Sequence, residues 1–293
     1  MPSVSIIGPI GSGKTTALGL LHEALTAYTG KNKKFQFESN LTGYLCDNIL
    51  KPLRAGKWPL ATELGTREEV KLRLRFKKLF GWNEIEIDFY DISGNDLNNV
   101  VDSLSDKTKS PQEAIADLEQ NKTLTAVLNS DVFILIIDSL ICDPTPTKAS
   151  ELKKAEVDIF LGRMCLALGT YKRETEKAIK ALALVFTKYD VTELFLPLGI
   201  VDYDSVKDIE ALAEADIEAR QNRSFEDVMR TYLPTTYNCL NFTLKNIKPG
   251  NLKYFRSGIM MKQDSETGKA SIGLPLTFSI NESVRLAKWL SSI

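Results

Sequence analysis

A strict alternation of apolar and polar positions runs through residues 70–79, VKLRLRFKKL, and sets Val70, Leu72, Leu74 and Phe76 on one face. It recurs in 84–91, EIEIDFYD, with Ile85, Ile87 and Phe89. Period two is the strand period, and Gly81-Trp82-Asn83 between the runs supplies a turn, so the pair predicts an antiparallel hairpin. Its outer face sets Lys71, Arg73, Arg75 and Lys77 against Glu84, Glu86 and Asp88, so that opposite charges meet across the strands. The acidic row makes the basic one a solvated, self-paired face and not a nucleic-acid stripe.

Other segments are apolar without alternation. Val4 to Ile7, VFILIID at 132–138 and LALVFT at 182–187 suit strands buried on both faces, as parallel strands of α/β proteins are. Leu18, Leu21, Leu25 and Tyr28 recur at helical spacing after Thr16, and the Gly30 to Lys34 cluster stops that helix. Helical patterns follow at about 149–180, 205–219 and 224–232, then a strand at Leu252 to Met261 and a closing amphipathic helix at Glu282 to Ile293. This alternation predicts a three-layer α/β/α fold with a mostly parallel sheet and one antiparallel edge hairpin. One domain is expected over 1–293, with 191–250 as a helical elaboration on the sheet's rim. There is no internal repeat.

Composition narrows the classes. With 43% apolar and 26% charged residues the chain is an ordinary globular one. A net charge of -1 gives no cationic field for DNA or RNA. Cys46, Cys142, Cys165 and Cys239 lie far apart with no C-x-x-C pair, which suits reduced buried thiols. No apolar run is long enough for a membrane span and no leader-like segment opens the chain, so the expected location is cytoplasmic. His22, the sole histidine, has no base or metal partner in the pattern and reads as a packing residue.

Three short stretches carry chemistry. GPIGSGKT at 8–15 fits G-x-x-x-x-G-K-[ST] between a strand and a helix, the context this phosphate-binding loop requires. Gly8, Gly11 and Gly13, with Ser12 among them, leave room for backbone N–H groups to turn inward, and Thr16 follows on the helix. Lys14 is placed to reach the β and γ phosphates and Thr15 to take one position on Mg2+. DISGN at 91–95 ends the second hairpin strand. Asp91 is the better candidate for the magnesium contact than Asp88, which belongs to the acidic row, and Gly94 can offer its N–H to the γ phosphate. TKYD at 187–190 follows the buried run 182–187. A carboxylate there lies at the ligand edge of the sheet. Asp190 can accept from the ring N–H and exocyclic amine of guanine, whereas adenine has no donor pair at that edge, an unpaired penalty of about 1–3 kcal/mol. Lys188 lays its stem along the base plane. The lesser alternative is an ordinary T-K-x-D turn after a strand.

In that order, and each after a strand, GPIGSGKT, DISG and TKYD resemble the Walker A, D-x-x-G and N/T-K-x-D motifs of Ras-like P-loop GTPases of the translation-factor-related class. The resemblance covers roughly 1–262. It implies binding of GTP and GDP with Mg2+, hydrolysis, two switch segments and a protein effector or activating partner. By position Gly13, Lys14 and Thr15 hold phosphate and metal, Asp91 and Gly94 sense the γ phosphate, and Thr187, Lys188 and Asp190 read guanine. The family's last motif maps to Ser257-Gly258. The first switch falls in GKWPLATELGT at 56–66, with Thr62 or Thr66 on the metal and Thr66 nearer the strand. This W-P-x-x-T flavour is also similar to GTPase-like proteins of prokaryotic conflict and signalling systems. Arg54 or Arg67 could supply a cation in cis, though a plain surface arginine is the simpler reading.

The chain departs from the family at Thr187, where Asn is commoner, and at Asn95, where many members carry the water-orienting Gln. Asn is one methylene shorter, so hydrolysis is expected to be slow or partner-assisted, with Lys14, Gly94 and Asn95 as the catalytic set. Two alternatives stay open: a P-loop ATPase or small-molecule kinase, for which no arginine-rich lid is evident between 139 and 181, and a non-hydrolysing pseudo-GTPase that works as an interaction module. The sequence leaves open a dimer.

Overall fold

The computed structural model describes residues 3–31, 33, 35–40, 42–60, 67–78, 81–92, 94–106, 108–139, 148–187, 214–243, 251–259, 261–263, 270–272, 274, 276, 278 and 280–293. The strands are β1 (Ser3–Ile7), β2 (Phe35–Ser39), β3 (Arg67–Lys78), β4 (Gly81–Ile92), β5 (Val132–Asp138), β6 (Ala181–Thr187) and β7 (Leu252–Ser257). They form a seven-stranded sheet in the order β2-β3-β4-β1-β5-β6-β7. β1 runs parallel to β4 and β5, β5 to β6 and β6 to β7, while β3 is antiparallel to both its neighbours.

The hairpin has the register its charges demand: Lys71 faces Asp88, Arg73 faces Glu86 and Arg75 faces Glu84. Arg75 Nε donates to Glu84 Oε2 at 2.7 Å, and Arg73 Nε lies 3.1 Å from Glu84 Oε1. The hairpin is not outermost, because β2 pairs along β3 and adds Glu38 to the same charged face, 3.6 Å from Arg73. The sequence pattern gives no strand at 35–39, since five residues with Phe35 alone fully buried carry too little periodicity.

Alternating side chains of the central strands point to two cores. Ile7, Phe133, Leu135, Leu184 and Phe186 face one, and Ile6, Ile134, Ile136 and Val185 the other. The first is covered by α4 (Gly94–Ser105), α5 (Pro111–Glu119), α6 (Lys122–Asn129), α7 (Lys148–Glu174), α8 (Glu214–Tyr232) and α9 (Pro234–Thr243). The second is covered by α1 (Lys14–Lys31), by the continuous segment α2 (Thr42–Tyr44), a π-helical turn (Leu45–Leu50) and α3 (Lys51–Arg54), and by α10 (Ile280–Leu290). These are the three layers expected. A small antiparallel pair, β8 (Met261–Gln263) and β9 (Ala270–Ile272), follows β7, and Ile272 shares a cluster with Leu53.

Local rules account for the helix starts. Ser110 and Glu113 form a reciprocal capping box ahead of α5, with Pro111 at its first turn. Asp158 of α7 caps α9 from a different helix, accepting from Thr235 N at 3.0 Å and Thr236 N at 2.8 Å. α8 is one helix where the pattern suggests two pieces: Arg223 between them is exposed while Phe225, Val228 and Met229 stay buried. Residues 205–213 lie outside the described residues. α8 and α9 share the core of β5 and β6, Phe225 stacking on Phe186 with ring centroids 4.7 Å apart. His22 is buried, with Nε2 3.2 Å from Thr42 Oγ1 and its ring edge-on to Phe37; burial holds its pKa down. Among the described residues no helix is long and apolar enough to cross a membrane.

Candidate nucleotide site

Five strands end at one edge of the sheet: β1 at Ile7, β4 near Asp91, β5 at Asp138, β6 at Thr187 and β7 at Ser257. In open α/β sheets ligands bind outside the carboxyl ends of the strands.

Between β1 and α1 the chain makes the glycine loop. Gly8 is there because nothing larger fits: a Cβ on it would come within 2.8 Å of the Ile136 carbonyl oxygen. Gly13 takes φ +90, a region that side chains disfavour, and so turns the loop into the helix. Lys14 is 7% exposed and arches back over the loop, donating to the carbonyls of Gly8 at 3.0 Å and Pro9 at 3.1 Å. Ser12 Oγ is buried without a hydrogen-bond partner. An orphaned hydroxyl beside a helix N-terminus and inward-turned glycines is the donor set of an anion cradle.

Thr187 fastens this loop to the rest of the edge. Its Oγ1 donates to the Ser12 carbonyl at 2.5 Å, with the Ile137 carbonyl at 3.3 Å, and the residue is 4% exposed. The hydroxyl is therefore spent on the loop, and the segment that follows is launched from a point tied to the phosphate cradle. Thr187 also stands in register with Asp138 on one side and Ser257 on the other. Ser257 and Gly258 are buried at the end of β7.

The backbone separates the two aspartates of β4. Asp91 is in register with Ile6 near the loop, whereas Asp88 is level with Ser3 at the far end of β1 and lies 3.9 Å from Lys71 Nζ. Gly94 and Asn95 open α4. Arg54 is exposed and donates to Glu23 at 2.5 Å, and the backbone of Arg67 stands opposite Ile92 at the start of β3. Trp58 and Leu60 are 53% and 93% exposed. Thr62, Thr66, Lys188 and Asp190 lie outside the described residues, as does Cys142.

The pattern reading assigns no role to Asp138 and Ser139, both buried at the end of β5 beside Thr187. The signal that singles out Asp190, a carboxylate closing a buried parallel strand, applies equally to Asp138 in VFILIID. Glu282 is a third residue missed. Fully buried on α10, its carboxylate lies 3.4 Å from the Arg256 backbone N–H and accepts from Arg285 at 2.9 Å. Arg285 also donates to the Tyr254 carbonyl at 2.7 Å. This polar clamp holds β7 one residue before Ser257.

The loop, its strand and helix, and the convergence of strand ends define a P-loop nucleotide-binding protein. More narrowly, the chain belongs to the Double-GTPase 2 family, whose model matches residues 3–232. That match ends before α9, β7 and α10. Among solved structures the chain is similar to the signal recognition particle receptor SRb of Chaetomium thermophilum in its GTP/SRX complex, at 11% identity over 88% of this chain and 93% of that one, with a TM-score of 0.36. It is also similar to the GTPase-like domain of Ski7 from S. cerevisiae, bound to GDP and inorganic phosphate, at 13% identity over 87% of this chain and 42% of that one, with a TM-score of 0.34. No curated protein matches the chain.

Proposed function

We propose that this GTPase binds GTP with Mg2+, hydrolyses it slowly to GDP and phosphate, and acts as a nucleotide-dependent switch on a partner protein, with the whole chain as one domain. The observation that carries the reading is the Thr187 bond to the Ser12 carbonyl, which ties the phosphate loop to the strand leading into TKYD. Base and triphosphate are then held at a fixed spacing. Gly8, Gly11, Ser12, Gly13 and Thr16 surround the phosphates with loop and helix N–H groups. Lys14 leaves its two carbonyls for the β and γ oxygens, an exchange that costs little because the ammonium trades neutral acceptors for charged ones. Thr15, Asp91 and Thr66 or Thr62 would hold Mg2+, which would neutralise charge on the phosphate oxygens. Lys188 and Asp190 read the base, and the Ser257-Gly258 turn closes it.

Hydrolysis is in-line attack of water on the γ phosphate, promoted by positioning and charge. Gly94 anchors the phosphate. Asn95 is too short to orient water as Gln does, so a partner completes the site. Asn95 also favours a second reading, a silent nucleotide-binding module.

The test is a titration with fluorescent GTP, GDP and ATP in Mg2+, repeated with Asp190→Ala and Lys14→Ala, together with a phosphate-release assay. Guanine preference that vanishes in Asp190→Ala supports the reading, and ATP binding as tight as GTP binding overturns it. Guanine binding without phosphate release, partner present or absent, assigns the chain to the silent class.

A further inference from the structure

α7 is 27 residues long and packs between α4 and α9 over the sheet. Its inward face is apolar, with Leu161, Met164, Leu168 and Tyr171 in the core. Its outward side carries an apolar line of its own. Leu152, Ile159 and Leu166 are 62%, 51% and 42% exposed. Isolated exposed leucines need no explanation. These three stand seven residues apart, so they fall on one line of the helix. They are also three of the eight large apolar side chains exposed among the described residues.

The stripe is symmetric about Ile159, with Leu152 seven residues before it and Leu166 seven after. The charges beside it are reflected with opposite sign: Glu156 stands three residues before Ile159 and Arg163 four after. At about 100° per residue both fall on the same flank of the stripe. When α7 lies antiparallel to a copy of itself on a twofold axis through Ile159, Leu152 meets Leu166 of the second copy and Ile159 meets its own counterpart. Glu156 comes opposite Arg163 of the second copy, offset by about one residue's rise of 1.5 Å. The twofold makes that pair twice. Parallel pairing on a twofold would set Glu156 and Arg163 against the Ala155 and Gly162 flank of the second copy, and no charge pair would form.

The surroundings permit this. Arg163 is 43% exposed and one nitrogen bonds Asp102 Oδ1 at 3.0 Å, which leaves donors of its fork for another carboxylate. On the other flank stand the small residues Ala155 and Gly162, the latter closed over by Thr235 of α9.

We propose that this face of α7 binds a second copy of the chain, antiparallel, as a twofold dimer. A partner of unrelated sequence would account for the apolar stripe but not for charges placed at reflected positions on one flank. The stripe is about 21 Å long, from Leu152 to Leu166.

Sedimentation equilibrium of the full chain over a concentration series tests it. A monomer–dimer equilibrium is expected, abolished by Ile159→Asp without change in the thermal melt. Glu156→Arg and Arg163→Glu each weaken self-association about tenfold or more, since each turns two attractions into repulsions. Mixed together, the two variants pair with each other, because every Arg then meets a Glu, and the double variant pairs with itself. A wild-type chain monomeric throughout the series overturns the proposal, as does a dimer indifferent to Ile159→Asp or a pair of charge variants that stay apart when mixed. Loss in Ile159→Asp of binding to a different protein, with the wild type monomeric, would assign the face to that partner and also overturn self-pairing.

Discussion

The sheet is built differently on the two sides of β1. On one side β5 and β6 are buried along their whole length and run parallel under helices on both faces. On the other, β3 and β4 form an antiparallel ladder whose apolar face holds Leu72, Leu74 and Ile87 in the core while its outer face is a row of paired charges in water. The first wing is fixed by packing on every side. The second is fixed on one face only. In the proposed function the buried wing supplies the ends that read the base, which is the same in GTP and GDP. The half-solvated wing supplies Asp91 and Gly94, which must respond when one phosphate leaves. A sensor placed on the wing with one solvated face has less packing to disturb when it moves.

The comparison breaks first in the buried wing. Phe186 is fully buried and stacks on Phe225, whose ring lies 5.9 Å from Tyr254. Phe186→Ala is expected to cost about 3–5 kcal/mol in urea unfolding. A loss under about 1 kcal/mol would mean that this wing collapses around the gap and is not rigid.

Thr187→Val tests the tie between wing and loop. It keeps the shape and removes the hydroxyl, leaving the buried Ser12 carbonyl without that donor. About 1–3 kcal/mol of stability is expected to go, with weaker GDP binding in the same titration used for Asp190. Unchanged GDP affinity with lowered stability would confine Thr187 to packing.

A smaller effect is read as a slope. Lys172, buried at the C-terminal end of α7, donates to the Ser130 carbonyl at 2.7 Å, and burial pulls its pKa down to about 8 although Asp131 opposes this. The unfolded chain then holds a proton that the folded chain has lost, from about pH 8 up to the ordinary 10.5. Folding stability should rise with pH through that window: the contribution is complete above 10.5 and fades as pH falls through about 8. Thermal melts across this range should show that rise, and Lys172→Met should flatten it. An identical slope in the variant would assign the titration to another group.

How much could be read beforehand follows the same division. The alternation at 70–79 and 84–91 declares its own register, since a slip by one residue would bury the charges. The runs at 132–138 and 182–187 are legible because strands buried twice leave no polar position to confuse the period. β2 and the helical segment from Thr42 to Arg54 were not legible: short pieces take their structure from β3 and α1, with which they pack, and not from their own pattern. In the site, the loop is legible because its glycines and Lys14 answer local backbone and charge demands. Asp138 closes a buried run and carried the same signal as Asp190, whereas Ser139 and Glu282 were hidden because their positions depend on which elements become neighbours, and the sheet order places β1 between β4 and β5, far from it in sequence. The role of the Thr187 hydroxyl was hidden likewise, since its acceptor lies 175 residues away.

The finest test lies on the charged face itself. Arg75 bonds Glu84 at 2.7 Å and lies 3.8 Å from Glu38, but its side chain is 33% exposed and theirs are 45% and 60%. Water and salt screen such pairs, and each side chain gives up rotamer freedom to make them. Arg75→Ala should therefore move the urea midpoint only slightly at low salt, and most of that difference should vanish near 1 M NaCl, where the screening length is about 3 Å. A larger loss that persists at high salt would show that the Arg75 stem packs against the sheet and that this face is held by contact as well as by charge. The charged wing would then be as firmly built as the buried one, and the sensing role assigned to it would need another source of mobility.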